Sequence, residues 1–380
     1  MTTLNRLHVR GYRRLHDIDL QMKPFMVLIG ANGSGKTSFL EVLSLLSAAC
    51  NGQLSSRISD LGGIADIVTR ERSQSIEIEV SSPVQGREPV DYGLVLEPRG
   101  QGYWIPRESL TQSRGKSVPF KHIDSAHGTV RYYDTQTKAL VQPDWKFDAF
   151  ETALSQVPKM FREPEALRAT LGATAFYASL NVGPRSPIRS PQQMRPVSLP
   201  GPQGEDLVPC LYSLRESDPD RFEVLEDTLA AAFPDFERLG FPPVAAGVLA
   251  MAWKDKNYSK LMYMHQLSEG TLRFLWLAAL LCSRDLPPIV LLDEPEVSLH
   301  PELQRLLVSL LREASSRSQI IVATHSERLV HFLEPHELLV GETENGLAQL
   351  TWADTMEIGD WLADYSLDEL WRTRRLGSAA

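Results

Sequence analysis

FMVLIGANGSGKTSFLEVLSLLSAAC, residues 25–50, holds the three parts that decide the fold. FMVLIG (25–30) is continuously apolar, the pattern of a strand buried on both faces. From Lys36 onward the apolar residues recur at helical spacing, which predicts an amphipathic helix. Between them GANGSGKT (30–37) fits G-x-x-x-x-G-K-[ST], a phosphate cradle between strand and helix. Gly33 and Gly35 let the backbone wrap closely, so that consecutive N–H groups face phosphate oxygens. The candidate nucleotide-binding residues are Asn32, Gly33, Ser34, Gly35, Lys36, Thr37 and Ser38. Lys36 would reach the β- and γ-phosphates of ATP, and the Thr37 hydroxyl would bind Mg2+.

The C-terminal third supplies more of the same chemistry. IVLLDEP (289–295) places Asp293 at the mouth of a buried strand, a second magnesium ligand. Glu294, one residue on, can accept a proton from attacking water. VATHS (322–326) ends another buried strand at His325, which can hydrogen-bond a γ-phosphate. LSEGTLRFLWLAALL (267–281) runs a polar turn into an apolar helix. Ser268 and Gly270 stand at its start, either as an ordinary N-cap with Glu269 in the first turn or as a phosphate-facing turn. Helix and buried strand alternate from here to the end of VATHS, which implies a parallel α/β sheet shared with FMVLIG.

Working outward, LNRLHVRGYRRLHDIDLQM (4–22) alternates like a strand, a turn at Gly11 and a second strand. SIEIEVS (75–81) reads as a strand, and residues 90–147 as an antiparallel lobe inserted into the main sheet. Helix is expected over 148–172, 205–216 and 219–233, with an extended surface loop over the Pro-, Gly-, Arg- and Ser-rich 181–204. Net charge is −9, with 11 basic and 11 acidic groups in 1–100, 13 and 8 in 101–200, and 15 and 29 in 201–380. An acidic chain is a poor non-specific polyanion binder, and the basic middle leaves room for only a local nucleic-acid face. Cys50, Cys210 and Cys282 form neither a CxxC pair nor a disulfide framework, so a reducing cytoplasm is expected. The longest apolar run, Leu272 to Cys282, contains Arg273 and is too short to span a bilayer.

In this order, the phosphate loop, L-S-x-G turn, Asp-Glu strand and histidine resemble the ABC-type ATPases. They look most like the branch that includes the SMC and RecF proteins. RGYRRL is similar to that branch's aromatic-Arg motif, making Arg13 a candidate phosphate or base contact. LDEPEVSLHPELQ is similar to its Asp-Glu strand and D-loop, and LSEGT replaces the transporter-type L-S-G-G-Q. SPIRSP, GEDL, FPDFERL and the tail IGDWLADYSLDELWRTRRLGS extend the resemblance to stand-alone bacterial AAA-type ATPases of about this length.

The resemblance implies an α/β P-loop NTPase of the ABC-ATPase head type, a mixed, largely parallel core sheet flanked by helices. Residues 1–82 and 266–350 would form the head, 83–265 an inserted β lobe and helical region, and 351–380 a helical tail. It further implies a homodimer, ATP-dependent or constitutive, closed around two ATP-Mg2+. There Ser268, Glu269, Gly270 and the D-loop Ser298 of one head complete the phosphate site of the other. DNA or a companion effector would be the partner, in repair or anti-phage defence. The alternative is a nucleotide-gated interaction module with little turnover; no membrane partner is expected. There is no long heptad insertion of a full SMC protein. The 55 residues after His325 are fewer than the Toprim nuclease domain of OLD-type relatives. Gln53 and Gln74 are the candidates for the Q-loop glutamine. Trp361 and Trp371 read as core staples of the tail.

Overall fold

The computed structural model describes residues 3–356, apart from 116 and 179, together with Leu367. β1 (Arg6–Tyr12) and β2 (Leu15–Gln21) form the first hairpin. Its reversal falls at Arg13, with φ 49°, and not at Gly11. Gly11 lies inside β1, where a Cβ would come 2.1 Å from the Ser75 carbonyl oxygen; the glycine serves strand approach, not turning. β3 (Phe25–Gly30) is buried throughout and leads to α1 (Lys36–Cys50). Short α2 (Leu54–Asp60) and α3 (Ile64–Ile67) follow. Next come β4 (Ile76–Val84), β5 (Arg87–Arg99), β6 (Gly102–Gln112), β7 (Phe120–Ala126), β8 (Thr129–Asp134) and β9 (Ala139–Val141).

These strands, without β3, make one antiparallel sheet in the order β2-β1-β4-β5-β6-β7-β8-β9. The lobe expected over 90–147 is therefore not inserted into the parallel sheet; it continues the sheet that β1 and β2 begin. The division at residue 83 falls inside β4. α4 (Ala153–Gln156) and α5 (Arg162–Gly172) then pack against α1. The β lobe is fastened to α4 by the buried Glu108 of β6. Its carboxylate accepts the N–H groups of Ala153 and Leu154 at 2.6 and 2.8 Å and the Tyr92 hydroxyl at 3.0 Å. Burial pushes its pKa up to about 7, with those donors opposing the rise.

β10 (Ala175–Tyr177) and β11 (Gln192–Gln193) precede α6 (Leu207–Ser217) and α7 (Pro219–Ala232), the two helices expected there. Small strands follow: β12 (Phe236–Gly240), β13 (Pro243–Ala245), β14 (Val248–Leu249), β15 (Ala252–Asp255) and β16 (Met262–Tyr263). The chain continues with α8 (Glu269–Leu281), β17 (Ile289–Asp293), α9 (Pro301–Ala314) and β18 (Gln319–Thr324). α10 (Glu327–Val330), β19 (Leu338–Glu344) and β20 (Leu347–Trp352) follow. The core sheet runs β10-β17-β18-β3-β19-β20, parallel except for β20. β10 joins it from within the 83–265 region expected to be wholly inserted.

β3 alternates between two cores. Phe25, Val27 and Ile29 face α6 to α9, and Met26 and Leu28 face α1 and the antiparallel sheet. Each such aliphatic side chain contributes about 1.5–3 kcal/mol through burial. Gln319 joins the layers: its amide donates to the Leu4 and Lys23 carbonyls and accepts from the Thr3 and Leu4 N–H groups. Beyond residue 356 the expected helical tail, with Trp361 and Trp371, lies outside the described residues except for Leu367. Among the described residues no helix is long and apolar enough to cross a membrane.

Candidate nucleotide site

β17, β18 and β3 lie side by side and parallel. Their C-terminal ends therefore bring Asp293 and Glu294, then His325, then the loop after Gly30 to one rim, where open parallel sheets bind ligands. Gly35 caps α1 with φ 94°, and a Cβ there would sit 2.8 Å from that of Ala348, so only glycine fits. The Lys36 ammonium, buried behind the loop, donates to the carbonyls of Gly30 and Ala31 at 2.6 and 3.1 Å. Burial lowers its pKa to about 8, opposed by the negative charges of Glu294 and Asp293. Burial raises the pKa of Asp293, helped by Glu294 and opposed by Lys36. His325 Nε2 lies 3.3 Å from Glu294 Oε1. Burial, then Lys36, lowers the imidazole pKa despite that carboxylate, which favours the neutral form of His325.

A cavity of about 640 Å³ opens over the loop, lined by Asn32, Gly33, Gly35, Lys36, Thr37 and Ser38 together with Arg13 and His325. Asp293, Glu294 and, within the loop itself, Ser34 are the exceptions among the expected residues. The Ser34 hydroxyl is buried under the loop beside Gly30 and Gly341, without a hydrogen-bond partner, and only its backbone remains to serve a phosphate. Arg13 lines the cavity with its Nε 3.0 Å from Glu41 of α1. Arg14 was missed by sequence reasoning. It donates to the Gly33 carbonyl at 2.8 Å and covers that glycine, although it stands beside Arg13 in RGYRRL. Arg72, also missed, donates to the Asn345 carbonyl at 3.0 Å and joins two loops that wall the cavity. No local pattern marks either role. Gln53 and Gln74 are exposed and do not line the cavity.

Ser268, Glu269, Gly270 and Ser298 are not among the lining residues; they form a second cluster. The Ser268 hydroxyl accepts the Thr271 N–H at 3.1 Å, a true N-cap of α8. A Cβ on Gly270 would come 2.7 Å from the Ser298 carbonyl oxygen, so turn and D-loop are in direct backbone contact. The segment 181–204 is more than a surface loop, because it holds this turn in place. Ile188 is fully buried, and the Arg189 guanidinium donates to the carbonyls of Val182, Met264, His265 and Leu267, immediately before Ser268.

The family model described as "AAA domain, putative AbiEii toxin, Type IV TA system" matches residues 25–331. An OLD nuclease of Thermus scotoductus is 32% identical over 120 residues, 27% of this chain and 22% of the nuclease. A DNA replication and repair protein RecF of Pseudomonas savastanoi is 50% identical over 48 residues, 12% of this chain and 13% of RecF. The chain thus spans less than a quarter of the length of either relative. Two solved structures share the fold at low identity. An Smc head bound to the C-terminal winged-helix domain of ScpA has a TM-score of 0.58 at 14% identity, covering 92% of this chain and 97% of that one. A Pyrococcus furiosus Smc head with an extended coiled coil, bound to the C-terminal domain of ScpA, has 0.55 at 12%, covering 99% of both.

Proposed function

This chain belongs to the AAA-domain family whose model matches residues 25–331 and is an SMC/RecF-like ABC-type ATPase, and from that premise we propose that it closes as a homodimer around ATP-Mg2+ and hydrolyses the nucleotide slowly as a conformational switch. The observation that carries the reading is the convergence of Lys36, Asp293, Glu294 and His325 at the ends of three adjacent parallel strands. In it, Lys36 neutralises phosphate charge at the moment of transfer. Glu294 orients water and takes its proton, and the neutral His325 hydrogen-bonds the γ-phosphate while steadying Glu294. Thr37 and Asp293, one hydroxyl and one carboxylate, suit an ion that keeps water and phosphate ligands. Bound there, magnesium would supply further neutralisation of the phosphates.

Two features support dimer closure. Ser268, Glu269, Gly270 and Ser298 stand outside the chain's own cavity, available to a partner's nucleotide. Val297 of the D-loop, and Leu261 and Tyr263 a few residues before the turn in sequence, are exposed apolar side chains that an interface would cover. A companion effector is favoured over DNA as the partner. Several arginines of the basic stretch are already engaged, Arg131 with Asp124, Arg168 with Glu165, Arg195 with Asp206 and Arg189 with backbone carbonyls. The family's description names a toxin of a type IV toxin–antitoxin system, in keeping with a role in defence. Lys36→Ala should abolish binding of a fluorescent ATP analogue measured by titration. Tight binding by that variant would remove the phosphate-loop assignment.

A further inference from the structure

The D-loop from Glu294 to His300 runs between β17 and α9 and touches both clusters. At one end Glu294 meets His325; further along, Ser298 backs onto Gly270. Glu294 and Ser298 both hold positive φ, 49° and 65°, which non-glycine residues keep only when their surroundings enforce it. Glu296, between them, is hydrogen-bonded to the end of β18. Its carboxylate is 7% exposed and accepts a hydrogen bond from the Thr324 hydroxyl, one residue before His325. Thr324 Oγ1 in turn accepts the Ser326 N–H at 2.9 Å. The Ser326 hydroxyl donates to Gln304 at 2.9 Å, and the Gln304 amide donates to the Leu299 carbonyl at 3.3 Å. The bonds make a closed ring through the D-loop and the end of β18, with His325 held between two of its members.

The ring encloses a buried carboxyl whose pKa burial raises, opposed by the Thr324 hydroxyl. Glu296 Oε2 has no hydrogen-bond partner, nor does the Nε of Arg273, which is 3% exposed on α8. Burial lowers the pKa of Arg273, opposed by Glu269 and then by Glu296, which therefore lies within electrostatic range of it. We propose that Glu296 is a positioning residue for hydrolysis. It ties the D-loop to the end of β18, holding Glu294 and His325 as a pair, and the Gly270–Ser298 contact connects the same loop to the turn that a partner's nucleotide engages. This rests on the ATPase reading above.

Thr324→Val keeps the shape and removes the hydroxyl, and Thr324→Ser restores it. Steady-state ATP hydrolysis and fluorescent-nucleotide binding of the full chain give kcat, KM and affinity separately. Thr324→Val should lower kcat roughly ten- to hundredfold with KM and affinity unchanged, and Thr324→Ser should recover the rate. A wild-type rate in Thr324→Val overturns the proposal. So does a loss shared by kcat and affinity that serine does not recover, since that is damage to the fold. If Thr324→Val fails to fold, Glu296→Met carries the same expectation, and a wild-type rate in it is equally fatal. Absence of ATP hydrolysis by the unaltered chain overturns the underlying ATPase reading, and this one with it; that result is distinct from turnover that the variants retain.

Discussion

Lys36 shows how much of the site a single residue reports. Its ammonium is buried, and its pKa is held near 8 because burial outweighs the attraction of Glu294 and Asp293. A phosphate beside it favours the charged form, so binding couples to proton uptake once the free lysine begins to deprotonate. ATP affinity should therefore be flat below pH 8 and fall above it, by up to about tenfold per pH unit. A nucleotide titration from pH 6.5 to 10 at fixed ionic strength tests this, and constant affinity through pH 9.5 would contradict it. Lys36, Thr37, Asp293 and Glu294 were legible in the sequence because their chemistry depends on strand–loop–helix spacing. Arg14, Arg72 and Glu296 were not. Their partners are a Gly33 carbonyl, an Asn345 carbonyl and a Thr324 hydroxyl, 19, 273 and 28 residues away along the chain.

Among the elements, α8 and the turn before it show what local reading can and cannot supply. An apolar helix with a Ser268 cap was readable, and the cap is present. The clamp that aims it was not, because Arg189 lies in a Pro- and Gly-rich stretch whose composition implies only a loop. Arg189 satisfies four carbonyls, three of them in the approach to Ser268. Arg189→Ala leaves them short of donors and should cost about 1–3 kcal/mol in denaturant unfolding. Arg189→Lys should recover little, since an ammonium cannot reproduce the guanidinium fork. Stability unchanged in Arg189→Ala would show that the clamp is dispensable. The antiparallel strands were likewise legible one by one. Their sheet was not, because the pairing of β1 with β4 spans some 70 residues and leaves no trace in local periodicity.

For the whole molecule, the described arrangement is two clusters joined by one loop: a cavity over Lys36 and a separate turn at Ser268 backed by Ser298. Ser268 is exposed and Gly270 half-buried, and neither lines the cavity over Lys36. Face-to-face closure with two-fold symmetry gives each turn a nucleotide to meet. The exposed Leu261, Tyr263 and Val297 would then be covered. The parallel α/β core was foreseeable from alternating helices and buried strands. The inclusion of β10 in that sheet was not, since AFY offers no distinct strand signal.

The most direct test is the light-scattering mass of Glu294→Gln with and without ATP-Mg2+. The substitution keeps the shape of the site and removes the base, so closed molecules should accumulate. A monomer near 42.6 kDa that doubles its mass only with ATP is the predicted result. A mass that stays near 42.6 kDa with ATP would contradict the shared site and leave Ser268 as no more than a helix cap.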